Sequence, residues 1–177
     1  MTIREVRDGD AATLVDIYNH YIANSAATFE EQVLDSNEFE RRIGEVVALG
    51  YPWLVAEVDG VIAGYAYANR WRERSAYRFS VETTVYLDPT RTGEGLGTAL
   101  YSALFERLAA LGVHAAIGGI TLPNPASIAL HEKVGMRKVA EFPEVGFKQG
   151  QWLDVGYWQI CFDLPVEAGA QSPGDAM

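Results

Sequence analysis

Cysteine is almost absent from the chain. Cys161 alone excludes an intramolecular disulfide and any multi-cysteine metal site. It lies in the apolar run Trp158 to Phe162, which predicts a buried strand residue rather than a nucleophile. Basic charge is scarce too: 14 Lys and Arg against 24 Asp and Glu leave a formal charge of -10 and a pI near 4.7. That balance argues against a general nucleic-acid or anionic-membrane surface, because binding phosphates needs a net basic face. An anionic ligand must therefore use a local patch. No uninterrupted run of about eighteen apolar residues occurs, and Met1-Thr2-Ile3-Arg4-Glu5 opens no apolar signal segment. A soluble, cytoplasmic protein with no membrane partner is the expectation. The G-x-G-x-x-G spacing of dinucleotide folds and the G-x-x-x-x-G-K-[ST] phosphate loop are both missing.

What is present is ordinary globular material, 49% hydrophobic and 21% charged, in a length that suits one domain. That domain is expected over residues 1–165, followed by a small-residue, flexible tail over 166–177. Periodicity predicts a first strand at Ile3 to Arg7 and helices at Ala11 to Ser25 and Ser36 to Leu49. Strands Trp53 to Val58 and Val61 to Asn69 flank Asp59-Gly60, a dipeptide suited to a two-residue hairpin turn. Phe79 to Leu87 is a further strand, Thr98 to Leu111 a helix, and His114 to Leu122 an apolar, buried strand. Asn124-Pro125 starts a short helix that Gly135 ends. Two last strands, Arg137 to Phe147 and Trp152 to Leu164, are joined by the polar turn Lys148-Gln149-Gly150-Gln151.

Two stretches carry chemistry. In Val85-Tyr86-Leu87-Asp88-Pro89-Thr90-Arg91-Thr92-Gly93-Glu94-Gly95-Leu96-Gly97-Thr98 a strand runs through a glycine-rich turn into a helix, so backbone amides converge at the positive end of the helix dipole. The turn can be a bare structural element or an anion cradle. The second stretch, Asn124 to Met136, reads N-x-x-S-x-x-L-H-x-x-x-G-M. Beside these, Arg70, Arg72, Arg74 and Arg78 fall within nine residues, either as a solvated loop or as the local basic patch.

In this order the stretches resemble the GNAT acetyltransferases. The likeness to the phosphinothricin acetyltransferases within that superfamily extends through Asn19-His20-Tyr21-Ile22, Tyr51 to Glu57, Glu82-Thr83-Thr84-Val85-Tyr86 and Gly150 to Gln159, roughly residues 3 to 165. The resemblance implies an α+β fold: a mixed, mostly antiparallel sheet of about seven strands flanked by about four helices. It implies acetyl-CoA as co-substrate and no metal. The pyrophosphate of acetyl-CoA would lie on the turn comprising Arg91, Thr92, Gly93, Glu94, Gly95, Leu96, Gly97 and Thr98. The pantetheine arm would pair with Val85, Tyr86 and Leu87, and Asn124 would contact it. Superfamily members commonly carry Gln or Arg where this chain has Thr92; its arginine stands one residue earlier, at Arg91.

The implied reaction is acetylation of a primary amine, which must attack as the free base although amino groups are largely protonated at neutral pH. Glu82 matches the base of the phosphinothricin-type enzymes. His131 stands where many relatives carry tyrosine, and an imidazole near its ordinary pKa of about 6.5 can serve as acid or base. Tyr101, early on the cofactor helix, is a further hydroxyl candidate or a core residue. For a carboxylate-bearing acceptor such as phosphinothricin, methionine sulfoximine or methionine sulfone, Arg72 and Arg74 are the expected anchors. Phe29 and Glu30 are the expected walls. Similar enzymes are commonly homodimers. The readings left beside this one are an acetyltransferase for a polyamine, an antibiotic or a protein N-terminus, and a non-catalytic acyl-CoA sensor.

Overall fold

The computed structural model of the chain describes residues 1–163. The tail expected over 166–177 and the end of the last strand at Leu164 lie outside the described residues. Strands β1 (Thr2–Glu5), β2 (Trp53–Val58), β3 (Val61–Arg70), β4 (Ser80–Leu87), β5 (Ala115–Thr121), β6 (Arg137–Lys148) and β7 (Gln151–Cys161) form one seven-stranded sheet in the order β1-β2-β3-β4-β5-β7-β6. Helices α1 (Ala11–Asn24), α2 (Ser36–Ala48), α3 (Leu96–Ala110) and α4 (Pro125–Lys133) flank it. All neighbours run antiparallel except β4 and β5. The expected α+β acetyltransferase-like architecture is the one found.

Local chemistry explains most boundaries. Asp59 and Gly60 have φ of 55° and 79°, so the β2–β3 turn has the positive φ at both central residues that a type I′ turn needs. Asp35 caps α2, its carboxylate accepting from Glu38 N at 2.8 Å. Asn124 caps α4 in the same way, accepting from Ser127 N at 3.1 Å, with Pro125 in the first turn. Helix α3 begins at Leu96, two residues before the predicted start, because Gly95 at φ 79° already turns the chain into it.

The interior is aromatic on one side. Trp53 and Tyr67 stack at 4.1 Å, and Tyr65, Tyr86, Tyr18, Tyr21 and Phe39 continue the layer where α1 and α2 meet the sheet. Helix α3 lies against β1 to β4 and buries Leu100, Tyr101, Leu104 and Leu108.

Two strand readings are corrected. Cys161 is exposed, not buried. Side chains alternate along β7, so Cys161 lies on the face opposite the buried Trp158. Lys148, expected in a solvated turn, is the last residue of β6 and is buried. Its ammonium donates to Ile22 O at 2.9 Å and Thr28 O at 2.8 Å. Ile22 is in the final turn of α1, where carbonyls lack intrahelical partners and no basic residue of the helix stands. Lys148 thereby supplies that charge from across the sheet.

The feature that places the site is a parting of strands. β4 and β5 pair only at Ser80↔Ala115, Val81↔Ala116 and Glu82↔Ile117. Beyond that point Thr83 to Leu87 and Gly118 to Thr121 run on without pairing to each other, so a cleft opens through the middle of the sheet.

Candidate active site

The cleft encloses about 930 Å³. One end is formed by β4 from Glu82 to Leu87, the turn at Thr92, Gly93 and Gly95, and the start of α3 at Leu96, Gly97 and Thr98. The other end is lined by Ala27, Thr28 and Phe29 after α1, by Val145 of β6, and by Val155 and Tyr157 of β7. Between them stand Glu82, Tyr101, Gly119 and His131.

At the first end, no side chain among the described residues caps α3, so among them its first-turn N–H groups have neither an intrahelical nor a side-chain partner. An uncapped helix N-terminus beside glycines at φ 84° (Gly93) and 79° (Gly95) offers backbone donors to an anion. Gly97 is glycine for another reason: a Cβ there would come within 2.8 Å of Leu130 Cδ2, so it lets α4 pack against α3. Arg91 and Glu94 pair with each other at 3.1 Å and, among the described residues, do not line the cleft. Val85, Tyr86 and Leu87 line it on β4's unpaired edge, as a ligand with amide groups would require. Asn124 lines it too. Its Oδ1 is engaged in capping α4, which leaves its NH₂ to meet a ligand.

At the centre, Glu82 is half-buried at the last residue where β4 still pairs with β5. Burial raises its pKa, and the Arg72 guanidinium opposes that rise. Among the described residues no hydrogen bond holds its carboxylate.

His131 is 3% exposed and its two nitrogens have opposite roles. A carbonyl only accepts, so at 2.7 Å from Ser127 O the Nδ1 must carry the proton. Nε2 then has a lone pair and accepts from the Tyr101 hydroxyl at 3.1 Å. Burial pushes the imidazole pKa down, with the Ser127 contact opposing, and pushes the Tyr101 phenol up. This corrects the expectation of an imidazole near its ordinary pKa: His131 is neutral, fully bonded and reaches the cleft's chemistry through Tyr101. The pair fits because β5 has no side chain beneath it. A Cβ on Gly118 would lie 2.6 Å from His131 Nε2.

At the other end, Phe29 lines the cleft, its ring seated against the backbone of Gly146. Glu30 does not line it; it pairs with Arg42 at 2.6 Å. Neither of the two arginines lines the cleft: Arg72 is exposed and lies over the Trp71 ring at 4.9 Å, from where its charge opposes the rise that burial gives the pKa of Glu82 and of Tyr157. Arg74 is exposed at the start of the 3₁₀ turn Ser75–Tyr77 and is not part of the cleft wall. The sequence reading missed Tyr157, Gly118 and Gly119. The paired glycines inside an apolar strand were the available signal, since glycine there marks a close approach.

Comparisons with known proteins give the family and the fold. The model of the family described as Acetyltransferase (GNAT) domain matches residues 3–156. Phosphinothricin N-acetyltransferase of Streptomyces viridochromogenes is 41% identical, with 93% of this chain and 89% of that protein covered. The L-methionine sulfoximine/L-methionine sulfone acetyltransferase of Salmonella typhimurium is 38% identical over 92% of this chain and 95% of its own. Among solved structures, a GNAT superfamily phosphinothricin acetyltransferase from Sinorhizobium meliloti in complex with acetyl-CoA superimposes with a TM-score of 0.89 at 37% identity, covering 94% of each chain.

Proposed function

Because the chain belongs to the GNAT acetyltransferase family, we propose that it transfers the acetyl group of acetyl-CoA to the primary amine of a small amino-acid analogue such as phosphinothricin, methionine sulfoximine or methionine sulfone. One observation carries the reading: a half-buried carboxylate with a raised pKa and a buried Tyr–His pair open into one cleft where β4 and β5 separate, beside an uncapped helix N-terminus.

The donors available to acetyl-CoA fit its chemistry. The amides of the Gly93 to Thr98 turn suit a pyrophosphate, and the free edge of Val85 to Leu87 suits a chain of amides. Acetyl-CoA supplies the activated acyl group, and CoA is the leaving group, released as the thiol. Glu82 removes a proton from the acceptor ammonium, a transfer its raised pKa favours by bringing it nearer that of an amine. Tyr101 is the group placed to return a proton to the departing sulfur. That hydroxyl's single proton rests on His131 Nε2, which holds the group in position; protonating the sulfur means turning the O–H from Nε2 to the thiolate, and the tyrosinate left behind is reprotonated from solvent. Arg72, whose charge reaches Glu82 and Tyr157 from outside the cleft wall, is the carboxylate anchor; its charge also works against the polycationic acceptors of a polyamine acetyltransferase.

The catalytic domain is taken to span residues 1–165, and the protein to act in the cytoplasm; no helix among the described residues is long and apolar enough to cross a membrane. Assembly as a homodimer through β6 is part of the reading. That strand ends the sheet, and Phe142, Phe147 and Trp152 around it are 51%, 54% and 62% exposed.

The test is thiol release from acetyl-CoA against a panel holding phosphinothricin, methionine sulfoximine, methionine sulfone, a polyamine and an aminoglycoside. Release driven by the amino-acid analogues is expected. Release driven only by the polycations would overturn the acceptor class, and acetyl-CoA binding with no release for any amine would identify a sensor.

A further inference from the structure

Glycine is a poor strand residue, yet β5 carries Gly118 and Gly119 side by side. Their side-chain directions are opposite. Gly118 makes room for His131. Gly119 has no such debt. Its φ is not positive, so its backbone does not call for glycine, and it is exposed to the cleft. A Cβ built on it would meet Tyr157 Cε1 at 3.4 Å, Glu82 Oε1 at 3.6 Å and Tyr157 Cδ1 at 3.8 Å. These are ordinary contact distances, so the fold would accept a methyl group. The gap between the Glu82 carboxylate and the Tyr157 ring is therefore not a packing requirement.

We propose that Gly119 is the specificity-determining floor of the acceptor site, its bare Cα leaving the gap that receives the α-carbon of the incoming amine. This rests on the reading of Glu82 as the base. An amine nitrogen hydrogen-bonded to that carboxylate stands about 2.9 Å from the oxygen, and its carbon about 1.46 Å further along a tetrahedral bond. The carbon then falls about 3.6 Å from the carboxylate oxygen by those same lengths. A Cβ at position 119 would stand at that same 3.6 Å from Glu82 Oε1. Such a Cβ would occupy part of the shell around that oxygen in which the amine's carbon has to lie, and non-bonded carbons keep about 3.5–4.0 Å apart. The Tyr157 ring forms the far wall, so a substrate displaced by a methyl group has to move its nitrogen off the carboxylate.

Gly119→Ala tests the assignment. The variant is expected to fold, to melt at or above the wild-type temperature, and to bind acetyl-CoA with unchanged affinity by calorimetry. Its kcat/KM for amino-acid acceptors should drop by about 100-fold, the usual effect of misplacing a reacting group by an ångström. Acceptor kinetics within threefold of wild type, a matching loss of acetyl-CoA affinity, or failure to fold would each overturn it. Glu82→Gln measured alongside separates the two ideas. If Glu82→Gln is inactive while Gly119→Ala is not, only the floor is wrong; if both variants remain active, the base assignment underneath it is wrong.

Discussion

Glu82→Gln removes a charge without removing a contact. No hydrogen bond among the described residues holds the carboxylate, and an amide has nearly the same shape, so the substitution leaves the walls of the cleft in place. Its effect on stability can be signed. Burial raises the pKa of Glu82 in the folded protein, so the folded state binds more protons than the unfolded one across that window. The contribution of Glu82 to stability is full below its unfolded pKa and is lost as pH rises through the folded value. At neutral pH the ionised carboxylate is a burden that the amide lacks. The variant should therefore melt at or above the wild-type temperature at pH 7, and that advantage should shrink towards acid pH. Catalysis runs the other way. Loss of a general base typically costs about 10²–10⁴-fold in turnover, equivalent to about 3–5 kcal/mol of barrier. Wild-type kcat/KM should decline as pH falls through the raised Glu82 pKa. In the variant that limb should give way to a steady rise with pH as the free amine appears, reaching towards amine pKa values of about 8–10. Thermal melts and thiol-release assays from pH 5 to 10 measure both trends. Near-wild-type turnover at neutral pH in a folded variant would refute the base assignment, and a lowered melting temperature at pH 7 would refute the desolvation argument.

Tyr101→Phe should leave His131 Nε2 buried without its donor, costing about 1–3 kcal/mol of stability, and should lower kcat while acetyl-CoA affinity by calorimetry stays unchanged; an unaltered kcat would return the proton to solvent. Gly95→Val forces a β-branched residue to φ 79°, a strain of about 1–3 kcal/mol, so the turn should re-form and acetyl-CoA binding weaken; unchanged affinity would move the pyrophosphate elsewhere. Lys148→Met keeps the buried stem but removes both bonds to Ile22 O and Thr28 O. It should destabilise the protein by about 2–4 kcal/mol, given about 1.5–3 kcal/mol for a hydrogen bond from a charged group. Because Thr28 and Phe29 line the acceptor end, it should also raise KM for the amine more than KM for acetyl-CoA; equal changes in the two would confine Lys148 to a stabilising role.

The sequence revealed those parts of this molecule that depend on neighbours along the chain. The Asp59-Gly60 turn, the Asn124 cap and the glycine turn before α3 each follow from the φ preference or hydrogen-bonding reach of residues a few positions apart, and each stands where it was expected. Glu82 was legible through the resemblance, which matches it to the base of the phosphinothricin-type enzymes, rather than through its neighbours in Ser80–Leu87. What failed was parity and partnership across the sheet. The run around Cys161 is apolar but for Gln159, and only the register with β5 tells which of its residues face inward. The arginine-rich loop gave no means of telling that Arg72 and Arg74 are both exposed and off the cleft wall, or that of the two it is the charge of Arg72 that reaches Glu82.

Lys148 shows most clearly why such distinctions stay hidden. In the chain it adjoins Gln149-Gly150-Gln151 and has every mark of a solvated turn. Its burial is dictated by carbonyls of Ile22 and Thr28, more than a hundred positions away. Those carbonyls need a donor because α1 ends without a basic residue of its own. The demand is thus visible in one segment and the supply in another, and only the placement of β6 joins them. Gly118 and His131 are joined in the same way. Each is ordinary alone, and the 2.6 Å that a Cβ would leave between them explains both: the imidazole requires the bare strand, and the bare strand lets the imidazole hold Tyr101. A glycine on a central strand, where propensity disfavours it, is accordingly a pointer to what crosses it from elsewhere in the chain. Gly118 is such a pointer to His131, and Gly119, with no crossing side chain in its way, points to the acceptor.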